Sequence, residues 1–226
     1  MPPGLTITTI TTITTMTDLL ALLAWTSPAF PTGAFACSHG LEWAVEAGDV
    51  RDEATLLAWI EDLLAHGSGR NDLILLRAAH RSWRDTAALA ELARAAAATR
   101  ERRVETIDLG TAFAIAAAPW SPPPLAPDPP YPVALGALAG AHGLDPEVTA
   151  AAAAQGFVTN LISAAVRLVP LGQSAGLRVL AAAAPAIRAA LADTGDATPD
   201  DLGGAAFRSD IAAMRHETQY TRLFRT

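Results

Sequence analysis

Lysine is missing from this 226-residue chain: all sixteen cationic side chains are arginine, set against twenty-three carboxylates. A chain with no lysine has no GK[ST] phosphate loop, which excludes Walker-type GTPases and ATPases, and no side-chain amine for Schiff-base catalysis. The formal charge of −7 argues against nucleic acid as a main ligand, because phosphate binding draws on a surplus of basic groups. Cysteine is nearly as scarce. Cys37 alone allows no internal disulfide and no cysteine-rich metal cluster, a usage that fits a reducing cytoplasm. Aromatic residues make up 6% of the chain while apolar residues, inflated by alanine, reach 51%, so packing must rest on small side chains and closely spaced helices.

What the chain does contain is helical periodicity nearly throughout, with no strand pattern of comparable length. The expected fold is all-α, a single-domain bundle of roughly eight to ten helices with flexible N- and C-terminal tails. Residues 1–17, MPPGLTITTITTITTMT, lack the basic start of a signal peptide and read as a disordered threonine-rich tail, with Met16 an alternative to Met1 as the true start. Residues 18–226 read as one domain, interrupted by the proline-rich loop 119–132 and closed by a tail at 205–226. Helices are expected over Asp18–Trp25, Ala34–Ala47 closed by Gly48, a segment capped by Asp52, and a segment following Gly69. A fifth, broken near 99–103, should run to Ala118. Asp145-Pro146-Glu147 then opens a helix to about Val169, expected to be the most buried of all, and an alanine-rich helix follows to Asp193. Gln155, Asn160 and Arg167 interrupt the apolar run of the Asp145 helix, which makes it a poor membrane span.

Four features invite a functional reading. The first is Trp25–Trp43, WTSPAFPTGAFACSHGLEW, where Pro28 and Pro31 stiffen a turn and Gly33 is free to take positive φ before a helix bearing His39 and Glu42. Cys37 and His39 would suit nickel or zinc, but residues two apart on a regular helix point to different sides. The second is the stripe Arg70, Arg77, Arg81, Arg84, either a solvated face or a functional one. The third is the row Gly156, Asn160, Ser163, Arg167 on an otherwise apolar helix; its arginine requires a subunit interface, an internal polar channel, or an escape to the helix end. The fourth is the ending RHETQYTRLFRT, with Tyr220 and Phe224 one turn apart among Arg215, Arg222 and Arg225. That composition suits either a binding hot spot or a tail packed on its own domain. In HETQY, Tyr220 stands where a zinc-protease helix needs its second histidine, so that motif is excluded.

Three of these segments, SPAFPTGAFACSHGLEW, NLISAAVRLVPLGQ and DIAAMRHETQYTRLFR, together resemble the UreF-type urease accessory proteins in order and spacing, over about Leu19 to Arg225. The resemblance implies a non-enzymatic, cytoplasmic helical protein, with no cofactor of its own and no membrane association. Such a protein forms a homodimer within a complex and bridges the UreD/UreH scaffold and the UreG GTPase. It thereby supports nickel insertion into apo-urease and regulates GTP hydrolysis, the nickel being handled by the complex. Carried over by position, the partner-binding residues are Pro28, Pro31, Ser38, His39, Glu42, Arg167, Gln173, Arg215, His216, Glu217, Tyr220 and Phe224. Two other classes stay in view: a small helical enzyme using Cys37, His39 and Glu42, and a nickel storage protein, for which five scattered histidines and one cysteine are few ligands.

Overall fold

The computed structural model describes residues 15–226, so the expectation of disorder for the N-terminal tail falls, for residues 1–14, outside the described residues. The first helix starts slightly earlier than expected: Thr15 caps α1 (Met16–Trp25), its side chain accepting from the Asp18 amide while Asp18 reaches back to Thr15. Ten α-helices and no strand occur among the described residues.

Most elements sit where capping chemistry places them. Asp52 caps α3 (Glu53–His66), receiving the Thr55 amide at 2.8 Å. Next come α4 (Ser68–Arg81), α5 (Ala87–Ala95) and α6 (Arg100–Ala116); the break expected near 99–103 is the cap Thr99, which accepts from Arg102 N–H. The proline-rich stretch forms one 3₁₀ turn and an irregular connection to α7 (Tyr131–Ala141). Asp145 opens α8 (Pro146–Leu168) by accepting the Glu147 and Val148 amides, and α9 (Gln173–Asp193) and α10 (Phe207–His216) follow.

Two expectations are corrected. The helix expected over Ala34–Ala47 is broken: a 3₁₀ turn spans Ala34–Ala36, His39 (φ 62°) and Gly40 (φ 76°) adopt left-handed backbone, and α2 is only Leu41–Glu46. Gly40 is forced by proximity as well, since a Cβ there would lie 2.8 Å from the Ala213 backbone nitrogen of α10. The most enclosed helix is α7 and not α8, with every residue from Pro132 to Ala139 buried. Small residues explain it. Gly136 and Gly140 bring α7 so near α4 that a Cβ at either would come within 2.3 Å of a carbonyl oxygen, of Leu76 or His80. α8 and α9, long and apolar enough to cross a membrane by length and composition, pack against each other and against α3 in the main core.

The arginine stripe grips the α9–α10 connection. Arg77 is buried (1% exposed), its guanidinium bidentate on Glu147 at 3.1 and 2.6 Å and also donating to Thr194 Oγ1 and the Leu191 carbonyl. Arg70 meets Asp193 at 2.8 Å and the Asp201 carbonyl at 2.9 Å, while Arg84 stacks on Trp83. A solvated face is therefore the wrong reading for Arg77.

Candidate functional site

Beyond His216 the chain is irregular, as a tail would be, yet it is seated against α2, α6 and the segment after the proline turn. Two buried polar clusters hold it. In the first, His216 (0% exposed) presents Nδ1 to Glu101 Oε2 at 2.6 Å and Nε2 to Glu42 Oε2 at 3.0 Å. Both ring nitrogens face carboxylates, and the Arg222 guanidinium also stands 3.2 Å from Nδ1. Glu42 also accepts the backbone N–H groups of Leu223 at 2.6 Å and Phe224 at 2.9 Å, and Arg222 bridges to Glu101 at 2.5 Å. Phe224 is thereby pressed into the core, and Arg167 lies over its ring at 4.3 Å.

The second cluster lies one turn further along α6. His39 Nδ1 meets Glu105 Oε1 at 3.1 Å, and its Nε2 contacts the Ser68 hydroxyl. Burial lowers the His39 pKa, and the Arg102 guanidinium lowers it further, so the imidazole is neutral, donating to Glu105 and accepting from Ser68. Burial acts to raise the Glu105 pKa, but Arg102 and His39 outweigh it and hold the carboxyl well below the usual range. Arg102 Nη1 stands 2.5 Å from Glu105 Oε1, close in distance but too poorly aligned for a hydrogen bond. The last residue completes the cluster: Thr226 Oγ1 donates to Glu105 at 3.0 Å, and its carbonyl accepts the Ser38 N–H at 2.5 Å.

The sequence-derived residues therefore divide. Ser38, His39, Glu42, His216 and Phe224 are buried inside the chain, drawn together by the docked C-terminal segment, and present no surface in this conformation. Pro28, Pro31, Arg167, Gln173, Arg215 and Tyr220 are exposed, and Glu217 is half-buried. Arg222 and Thr226, which the sequence offered only as part of the tail, complete the clusters with Glu101, Glu105 and Arg102, none of the latter a sequence candidate. The signal for Glu101 and Glu105 was two acids one helical turn apart in RERRVE.

Cys37, His39 and Glu42 do not converge on one reacting centre. Glu42 belongs to the His216 cluster and His39 to the Glu105 cluster, while burial, with a smaller contribution from Glu105, pushes the Cys37 thiol up to about 11. Among the described residues no group of three or more His, Cys, Asp or Glu side chains is arranged to hold a metal ion. The outward side of this region is different in character. Phe207, Ile211 and Met214 stand exposed at i, i+4 and i+7 on α10, and Tyr220 and Leu223 are exposed on the segment that follows it.

The comparisons with known proteins agree with one another. The UreF family model matches residues 50–184. A protein named urease accessory protein UreF from Methylorubrum populi is 50% identical over 217 residues, covering 90% of this chain and 96% of its own. Proteins of the same name from Methylobacterium radiotolerans and Cereibacter sphaeroides are 51% and 52% identical, covering 90% and 89% of this chain and 94% and 95% of their own lengths. A family model that matches more than half of this chain, and relatives at about half identity over 90% of it, place this chain in the UreF family.

Proposed function

We propose that this protein is an accessory factor in urease maturation, acting as a cytoplasmic adaptor between the UreD/UreH scaffold and the UreG GTPase. Nickel is handled by the complex and regulation of GTP hydrolysis is exerted through contact. The family and the names of the relatives support the urease role. The observation that carries the adaptor reading is the exposed apolar surface of α10 and the C-terminal segment. Phe207, Ile211 and Met214 recur at i, i+4 and i+7 on α10, and Tyr220 and Leu223 are exposed on the segment that follows it, in a chain poor in aromatics, the composition of a protein contact. The buried clusters beneath it act as the frame: Glu42 and His216 set the course of the tail, and Arg167 backs Phe224. Among the carried-over residues, Tyr220 and Arg215 then belong to the contact itself, while Glu42 and His216 shape it from below.

Coexpression with the urease genes should restore urease nickel content, and unchanged nickel and activity in the absence of this protein would refute the reading. For the surface, replacing Ile211 and Met214 by Ser alters exposed positions only. The variant should keep the helical circular dichroism of the parent and lose co-purification with the scaffold protein; retained co-purification would remove α10 from the contact.

A further inference from the structure

The proline turn has a second consequence, independent of the urease reading. With α4, α6, α7 and α8 it encloses a cavity of about 140 Å³, the size that admits a benzene-sized guest in other proteins. Its rim includes exposed Pro28, Phe35 and Ser163, and its walls include the rings of Trp25, Tyr131 and Phe157. The polar row of α8 lies along it, through Gly156, Asn160 and Ser163. Five lining groups are titratable: His39, Asp72, Arg102, Glu105 and Tyr131, the last kept neutral by burial and by Asp72 beside it. Their balance is uneven. Arg102 is the one cation among them and pairs with Glu105, and His39 is neutral and engaged with Glu105 and Ser68. Asp72 makes no hydrogen bond or ion pair among the described residues, although it lines both this cavity and a neighbouring one that also holds Asp210.

An unpaired carboxylate in an aromatic-walled chamber is the chemistry that selects a small organic cation, by ion pairing at one end and ring faces around it. We propose that this cavity is a binding site for a primary alkylammonium group, with Asp72 as its counter-ion and Trp25, Tyr131 and Phe157 as its walls. With Glu105 paired to Arg102, Asp72 leaves the lining one negative charge in excess, which disfavours an anion, and a neutral guest would leave Asp72 unpaired. Burial, with Arg102 opposing and Glu105 adding, pushes the Asp72 pKa up to about 6. Ligand and proton therefore compete for the same carboxylate, and affinity should fall as pH drops below that value. The headgroup could come from a free amine or from a lysine side chain of a partner, since both present the same ammonium on a four-carbon stem.

The test is NMR titration of the full chain at pH about 7.5 with n-butylammonium, n-butanol as the uncharged match, and Nα-acetyl-lysine amide, following the ring protons of Tyr131 and Phe157. Saturable shifts are expected with butylammonium, at least tenfold tighter than butanol, about tenfold weaker at pH about 5, and lost in Asp72→Asn. Binding of the blocked lysine as tight as that of butylammonium assigns the site to a partner's side chain, and tighter binding of butylammonium assigns it to a free amine. Absence of saturable shifts, equal affinity for butanol, or affinity unchanged in a folded Asp72→Asn variant would overturn the proposal. Should that variant fail to fold, a flat pH dependence of the parent chain overturns it alone.

Discussion

Glu42 is the acceptor from which the C-terminal segment hangs, and replacing it by Ala should release that segment while the bundle stays folded. The substitution removes three contacts together, to Leu223 N–H, Phe224 N–H and His216 Nε2, at 2.6, 2.9 and 3.0 Å. Each hydrogen bond to a charged acceptor contributes about 1.5–3 kcal/mol. Leu223 is exposed at 64% and its amide can turn to water, whereas His216 and Phe224 are buried at 0% and 3% and keep most of their loss. A net cost of about 3 kcal/mol follows for the seated segment, and at about 1.4 kcal/mol per tenfold its opening becomes about 100-fold more frequent. Native-state hydrogen exchange reads this directly: the Phe224 amide should lose protection by that factor while amides in α3 and α7 keep theirs. Glu42→Gln is the milder control, because its one carbonyl oxygen can take the place of Oε2 and keep Phe224 and His216 while its NH₂ faces only the exposed Leu223 amide, so it should fall well short of the Ala variant. Phe224 protection unchanged within about threefold in Glu42→Ala would refute the assignment of Glu42 as the holder.

Three further outcomes follow from the packing. Gly136→Ala should lower stability by about 1–3 kcal/mol or more in urea unfolding, since its Cβ would lie 2.3 Å from the Leu76 carbonyl; Gly172→Ala, with nothing within 4 Å, should cost no more than the N-cap preference for glycine, about 1 kcal/mol. Arg77→Ala should cost about 1.5–3 kcal/mol and loosen the Thr194–Asp201 connection, seen as faster proteolysis there, because the hydrogen bonds of a buried guanidinium to Glu147, Thr194 and the Leu191 carbonyl are lost while exposed Glu147 turns to water. Asp72 gives a pH signature of opposite sign to an ordinary surface acid. Its folded pKa of about 6 lies above the unfolded value of 3.8, so its contribution improves as pH falls from about 6 toward 4 and is unfavourable at neutral pH. Asp72→Asn should therefore stabilise the chain at pH 7 by about 1–3 kcal/mol and lose that advantage near pH 4; an equal effect at both would contradict the burial argument.

The helices were legible because their signals are local. Asp52, Thr99 and Asp145 each cap a helix through their own neighbours three or fewer residues away, and the alternation of apolar positions needs only one turn to be read. Gly33 likewise announced its left-handed backbone by standing in a proline-stiffened turn. The break at His39-Gly40 was not legible, because its cause is the approach of the Ala213 backbone, more than 170 residues further along. Arg77 looked like one more member of an exposed stripe until Glu147 and Thr194 closed over it.

By itself the sequence determined that the chain is helical, that it lacks the side chains for phosphate-loop or Schiff-base chemistry, and which family its three motifs resemble. Composition, spacing and capping decide these within a few residues of chain. Only the tertiary structure decided that Glu42 and His216 face each other and that Phe224 is a core residue. Those pairings join positions 174 and 182 residues apart, and each polar group in them must find its partner inside the fold because it is shut away from water.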